Sequence, residues 1–251
     1  MKELVTVIVP VLNPDINPVE ERLLHHSLQM LSGYPLIFVT YEGADLSIVR
    51  EHHEDIDIVH FPAEFFRSRD AFARLLLMED FYLRFNWCDF LMVHELNSWI
   101  IKDELYYWCK QGYDFMKAGA AGHVPGNFFQ QLTGYSPAQK EAFASGFENN
   151  GLYLCRIERM LSTLAGLKKT AYQYRHDTSL HQADAVFWKC EANRLWPRLR
   201  KPSRIVTDHF ARNVADLAEL KPDRLPFALT GITRANFNQI PFFKSMTEAD
   251  Q

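Results

Sequence analysis

The sequence predicts an α/β fold built on a doubly wound, mostly parallel sheet. Short β-branched apolar runs recur along the first half of the 251-residue chain. They are continuous rather than alternating, which is the pattern of strands buried on both faces. Segments with helical apolar spacing stand between them, and strand–helix–strand alternation is what a parallel sheet requires.

"LVTVIVPVL" (4–12) is the first strand, ended by Asn13-Pro14. Residues 18–31 form a helix, with Val19, Leu23, Leu24, Leu28 and Leu31 on one stripe. Pro18 sits near its start, where a missing N–H costs little. "LIFVT" (36–40) is the second strand, a short helix follows near 46–53, and "IDIVHF" (56–61) is the third strand. Residues 68–86 read as one longer helix, with Phe72, Leu75, Leu76, Met78 and Phe81 toward a core. "DFLMVHE" (89–95) is the next strand, and "DELYYWCKQG" (103–112) a helix stopped by Gly112. The second half is less regular: a Gly/Asn/Phe-rich region (122–151), a helix near 155–167 and a helical segment near 181–195. Regions 120–150 and 168–180 read as loops carrying substrate contacts. No repeat or composition shift divides the chain, so a single domain over 1–251 is expected.

Hydrophobic residues make up 47%, enough for a substantial core. The net charge of −4 and the lack of an extended basic block argue against a nucleic-acid partner. One local cluster, "RLWPRLRKPSR" (194–204), reads as a solvated loop or a contact for phosphate or anionic lipid. Cys88, Cys109, Cys155 and Cys190 show no C-x-x-C or metal-ligand spacing, so reduced thiols in a cytosolic protein are expected. "ELVTVIVPV" lacks the features of a signal peptide, and no apolar run approaches the ~20 residues that span a bilayer. A cytoplasmic protein is the expectation, with peripheral membrane contact left open.

Ligands of doubly wound sheets sit beyond the carboxyl ends of the strands. That rule selects the loops Pro10–Asn13, Thr40–Gly43 and Glu95–Ser98, which hold Val11, Glu42 and Asn97. Asp45 after Gly43 also reads as a turn former. Trp99 is a candidate aromatic platform under a ligand at this rim, whereas Tyr106, Tyr107, Trp108, Phe187 and Trp188 read as core. Arg67, Arg69 and Arg74, at the start of the 68–86 helix, are candidates for an anionic ligand, against a reading as exposed helix-end arginines. "YRHDTSLHQAD" brings Arg175, His176 and His181 near Asp184, as an acceptor or phosphate contact or as ordinary surface histidines. A His₂/Asp metal site is the further reading, against which stands the spacing of the two histidines, not the i, i+4 of ligands on one helix face.

Six pieces stand in one order: "VTVIVPVLNP", "YPLIFVTYEGADLS" (34–47), "FYLRFNWCDFLMVHELNSWIIKDELYYWCKQGYDFMKAGA" (81–120), "ENNGLYLCR" (148–156), "ADAVFW" (183–188) and "LPFALTGI" (225–232). Together they resemble a family of glycosyltransferase-like proteins of the GT-A type, whose corresponding motifs include Q-L-D-A-F-V-F, G-N-G-G-[LF]-S-L-R, N-E-D-V-F-W and P-F-G-x-H-[AG]-W. The resemblance implies a GT-A-like domain with a nucleotide-sugar-binding half (1–120) and an acceptor-side half (121–251). It implies sugar transfer from a nucleotide-activated donor to a glycan or lipid-linked acceptor, often assisted by Mg²⁺ or Mn²⁺. This chain departs from the motifs at polar positions. Asn97 stands for the metal-binding Asp, Ala185 for the Asp of E-D, Thr230 for the His, Asn150 for a Gly and Cys155 for an Arg.

The leaving diphosphate must be stabilised by a hard cation or by basic side chains. Asn97 offers a carbonyl without charge, and Glu95 keeps one carboxylate beside it. Asp184, one residue from the matched position, is the surviving carboxylate for a general base; its alternative is a helix N-cap before "AVFW". The expected site therefore has Asp184 and Glu95 in catalysis. Pro10, Val11, Asn13, Thr40, Glu42, Asp45, Arg69, Arg74, Asn97, Trp99, Asn150, Gly151, His181 and Thr230 would bind substrate. No dedicated metal ligands are assigned, and Mg²⁺ or Mn²⁺ is left open. A catalytically inactive binding or assembly module on the same fold is the alternative. A different nucleotide-dependent transferase is a third reading, with no specific feature behind it.

Overall fold

In the computed structural model, which describes residues 2–52, 56–117, 134–145, 151–215, 225–240 and 243, the first apolar run folds as strand β1 (Glu3–Pro10). Its side chains alternate between separate cores. Ile8 joins Ile37, Val39, Leu91 and Val93. Val5 and Val7 join Phe90 and Met92 on the other face, and Val9 joins Leu24, Leu28 and Phe38. Both faces are dry, which is why the run does not alternate with polar residues. Full burial of each such side chain stabilises by about 1.5–3 kcal/mol.

Strands β2 (Leu36–Thr40), β3 (Asp57–His60) and β4 (Cys88–His94) lie in the same sheet. Val7 stands opposite both Leu36 and Met92, and Ile37 opposite Asp57, all in parallel register. The four strands expected from the sequence are therefore neighbours. Strand β5 (Trp99–Ile100) follows the candidate triplet, and β6 (Phe115–Lys117) and β7 (Leu152–Arg156) extend the large sheet antiparallel. The order is β3-β2-β1-β4-β7-β6. With β8 (Ala211–Asn213) and β9 (Ala228–Thr230), β5 makes a second, three-stranded sheet ordered β5-β9-β8.

Helix α1 (Pro18–Met30) covers one face through Leu24 and Leu28. Asn17 caps it by accepting from the backbone N–H of Val19 and Glu20, and the Glu20 carboxylate accepts from Asn17 N–H. Helices α2 (Ser47–His52), α3 (Arg69–Leu75), α4 (Glu79–Leu83) and α5 (Leu105–Lys110) follow in the first half. The second half adds α6 (Pro137–Ser145), α7 (Ile157–Gly166), α8 (Lys168–His176), α9 (Ala183–Val186) and α10 (Arg204–Phe210). A single π-helical turn, Phe187–Glu191, continues α9.

Several expectations are corrected. The helix read over 68–86 divides into α3 and α4, with Met78 extended between them. Leu75, Leu76 and Leu77 are all buried in succession, more than the single apolar stripe of a helix packed on one face. The segment 168–180, read as a loop, contains α8, whose core contacts are only Ala171 and Tyr174. Two buried residues in nine leave little periodicity to read. Residues 152–156 form a strand before the helix expected near 155–167. Of the region 122–151, only 134–145 and 151 are described. Trp108, Phe187 and Trp188 are core, but Tyr106 and Tyr107 are exposed. The four cysteines are buried free thiols. Among the described residues no helix is long and apolar enough to cross a membrane.

Candidate functional site

The chain winds from β1 through β2 to β3, then returns to the other side of β1 to place β4. Connections after β1 and β4 therefore leave in different directions, and a crevice opens beyond their carboxyl ends. A cleft of about 340 Å³ lies there. Pro10, Leu12 and Asn13 line it from the end of β1, and Asp15, Asn17 and Glu20 from the entry to α1. Arg69 enters from the first turn of α3, and Glu95, Leu96 and Asn97 from the end of β4.

The Glu95-Leu96-Asn97 turn is held on two sides by backbone. Glu95 N–H donates to Gly151 O at 2.8 Å, and Ile232 N–H donates to Asn97 O at 3.0 Å. Gly151, at the entry to β7, has no room for a side chain. A Cβ there would stand 2.1 Å from Asn97 Oδ1 and 2.6 Å from Glu95 Cβ.

Four charges converge behind the cleft. The Glu95 carboxylate pairs with the Arg69 guanidinium. Lys117 Nζ, on β6, is 3.7 Å from the Asp184 carboxylate, and both of those side chains are almost wholly buried. Burial pushes the Glu95 carboxyl above its usual range, against Arg69 and Lys117, and nearby Asp184 adds to the rise. Burial lowers the Lys117 ammonium, against the pull of Asp184 and Glu95, with Arg69 adding to the fall. For both groups desolvation outweighs pairing.

Asp70 fixes the geometry of α3 against α9. Its carboxylate lies 2.7 Å from His181 Nδ1 and accepts from Gln182 N–H at 3.0 Å. Burial alone would raise the Asp70 carboxyl, but these bonds hold it below its usual range. Gln182 takes φ 50°, the one non-glycine residue with positive φ among those described. That strained turn leads the chain inward to Asp184.

Of the residues expected to bind substrate, Pro10, Asn13, Arg69 and Asn97 line the cleft with Glu95, and Gly151 backs it. Val11 and Thr40 are buried beneath it, and Thr40 Oγ1 donates to Val11 O at 3.0 Å. Glu42 and Asp45 are exposed beyond β2. Asp45 Oδ1 accepts from Ser47 N–H at 2.9 Å, the turn-forming role, and this bond lowers its carboxyl. Arg67 is exposed, while Arg74 is half-buried in the last turn of α3. His181 is exposed and bonded to Asp70. Asn150 lies outside the described residues.

Three placements differ from expectation. Trp99 is not open as a sugar platform: His26 stacks on it at 3.6 Å and Phe243 abuts it edge-on, because β5 faces an apolar cluster. Thr230 is fully buried in β9, its hydroxyl 3.4 Å from Arg212 O, and does not line the cleft. Asp184 is 2% exposed and tied to Lys117, so an acceptor hydroxyl does not reach it here. Two residues escaped sequence reasoning. Lys117 had a readable signal, a single cation inside the apolar strand "DFMKA". Asp70 had none, because its partners are 111 and 112 residues away.

Among the described residues the donor set does not fit a divalent cation. Glu95 is already paired with Arg69, Asn97 brings no charge, and Thr230 is sequestered. No group of three or more His, Cys, Asp or Glu that could hold a metal occurs among the described residues, the Arg175/His176/His181/Asp184 stretch included. His94, ahead of Glu95, is also buried: its Nε2 lies 3.0 Å from Ser27 Oγ, and burial lowers its pKa to about 4.

Residues 55–230 match the family described as protein of unknown function (DUF5672). The chain belongs to that family. No curated protein matches the chain in sequence. Solved glycosyltransferases share the fold of this DUF5672 member. Galactosyltransferase LgtC, in complex with donor and acceptor sugar analogues, is 11% identical with a TM-score of 0.56, covering 97% of this chain and 94% of that one. Mouse xyloside xylosyltransferase 1 is 12% identical with a TM-score of 0.51, covering 92% and 98%. A glycosyltransferase involved in glycosylation of the major capsid of PBCV-1 is 9% identical, also at 0.51, covering 93% and 96%. Identities this low establish the GT-A fold and leave the chemistry to the site residues.

Proposed function

We propose that this DUF5672 member is a glycosyltransferase that moves a sugar from a nucleotide-activated donor to a glycan or lipid-linked acceptor without a divalent cation. The observation that carries the reading is the cleft at the sheet's switch point, where Arg69, Glu95 and Asn97 converge. Arg69 matches a diphosphate with its planar fork of donors, and Lys117 adds positive potential behind it. Asn97 meets sugar hydroxyls as both donor and acceptor. The first half of the chain, 1–120, takes the nucleotide sugar, with Pro10–Asn13 and the Thr40, Glu42 and Asp45 rim beside the nucleoside. The second half, 121–251, faces the acceptor. Glu95, whose carboxyl pKa burial raises, is the stronger base for it and is suited to accept the acceptor's proton. Asp184 acts as a positioning residue through Lys117.

Calorimetric titration of the full chain with a panel of nucleotide sugars, with and without EDTA, tests this. Affinity is expected to stay within tenfold, or ~1.4 kcal/mol, on chelation, and Arg69→Ala to weaken it at least tenfold. A larger loss with EDTA refutes the metal-free reading. The second reading, a binding module without catalysis, is favoured by the sealed Asp184 and the uncharged Asn97. Donor binding with no release of nucleoside diphosphate, across a panel of acceptors, selects it. No binding of any nucleotide sugar overturns the donor assignment.

A further inference from the structure

Residues 194–205 carry five cations and no acidic residue, in a chain of net charge −4. The segment is ordered by its own hydrogen bonds. Asn193 Nδ2 donates to Leu199 O at 2.7 Å, and Asn193 Oδ1 accepts from Leu199 N–H at 2.9 Å. Leu199 is buried and anchors the base of the loop. Its tip presents Leu195 at 57% and Trp196 at 73% exposure, and Ile205, in the first turn of α10, is 73% exposed. Three large apolar side chains are thus held out by a closed loop and a helix start. Isolated exposed apolar residues are ordinary, but the adjacent pair Leu195 and Trp196 at one loop tip, flanked by cations in sequence, marks an interaction surface.

Beside the tip is a cavity of about 640 Å³, lined by Lys189, Arg200, Lys201 and Arg204 and by no acidic residue. Lys201 Nζ donates to the carbonyl groups of Trp188 and Lys189, which fixes it at the end of the π-turn. Burial lowers the Lys201 ammonium to about 8 and also lowers Lys189, the cost of desolvating cations with little counter-charge. Some counter-charge does stand behind the patch: Arg194 pairs with Glu191, and Arg204 lies 3.8 Å from Asp208. Nucleic acid would meet the cations but would leave the aliphatic Leu195 and Ile205 in water. A lipid surface uses both, since phosphates face the cations while apolar tips enter the headgroup boundary.

We propose that the 193–199 loop and the first turn of α10 dock the protein on an anionic lipid surface, with Leu195, Trp196 and Ile205 inserted and Arg200 and Arg204 on the lipid phosphates. This docking does not rest on the transferase reading.

Flotation of the full chain with vesicles tests it. Binding is expected to phosphatidylcholine vesicles containing phosphatidylglycerol, not to phosphatidylcholine alone, and to fall as salt is raised. Arg200→Glu with Arg204→Glu should lower partitioning at least about thirtyfold. Leu195→Ser with Trp196→Ser should lower it about tenfold without changing thermal unfolding, because both side chains are already exposed. Wild-type tryptophan emission should shift blue on the anionic vesicles, and the shift should vanish in the Trp196→Ser variant. Failure to bind anionic vesicles, equal binding to neutral ones, or binding that both double variants retain would overturn the proposal. So would displacement from vesicles by low concentrations of single-stranded nucleic acid. Nucleotide-sugar affinity in solution should be the same for all these variants, which keeps the two readings separable.

Discussion

Gly151→Ala should damage the cleft more than any other single-methyl change in its walls. The added Cβ would stand 2.1 Å from Asn97 Oδ1, so the contact must lengthen by roughly 1.3 Å to reach ordinary van der Waals separation. The Asn97 side chain can turn away. Glu95 Cβ, at 2.6 Å, is fixed directly to a backbone whose N–H bonds Gly151 O. The Glu95 backbone must therefore move by roughly 0.8 Å, carrying its carboxylate away from Arg69. Gly151 does not have positive φ. Without the clash, alanine would thus stabilise by about 0.4–1 kcal/mol through the unfolded chain. Overpacking costs about 1–3 kcal/mol and sets the sign. Equilibrium urea unfolding should show a net loss of about 1–2 kcal/mol, and calorimetry a donor affinity reduced by up to about a hundredfold. A variant as stable as the wild type with unchanged affinity would show that β7 is free to back away, and would refute the close-packing argument.

Lys117→Met should destabilise by about 3–5 kcal/mol in chemical denaturation by leaving Asp184 buried and unpaired. Adding Asp184→Leu should recover much of that loss, and strict additivity of the two single changes would dismiss the pairing. His94, lowered from 6.5 to about 4, is neutral when folded, so the unfolded chain binds the extra proton between those values. Its contribution is therefore complete above pH 6.5 and lost as pH falls toward 4, by up to about 3 kcal/mol. The stability–pH profile of His94→Gln should be flatter in that window, and parallel profiles would assign the acid sensitivity elsewhere. Asn17→Ala should cost about 1 kcal/mol through loss of the α1 cap, read as a shift in urea midpoint at unchanged slope; an unshifted midpoint would mean that the capping bonds contribute nothing net.

The strands at 4–11, 36–40 and 89–95 were legible because each is a run buried on both faces, and that burial is written in adjacent residues; the edge strand at 56–61, only half-buried, was legible from its β-branched residues instead. The rim of the site followed from the same pattern, since the carboxyl ends of β1 and β4 are where a doubly wound sheet opens. Pro10, Asn13, Glu95 and Asn97 could thus be named without coordinates. Strands of two or three residues, such as β5, β6, β8 and β9, were not legible, because no period can be read over so short a span. Nor was α8, which turns only Ala171 and Tyr174 to the core. What the sequence determined by itself is the sheet and the rim where a ligand would enter, because periodicity and strand termini are local properties. What only the tertiary structure decided is the state of the charges there. It paired Glu95 with Arg69, sealed Asp184 against Lys117 on β6, and covered Trp99 with His26. Those partners lie 26, 67 and 73 residues apart, and desolvation of a charge depends on everything packed around it rather than on its neighbours along the chain.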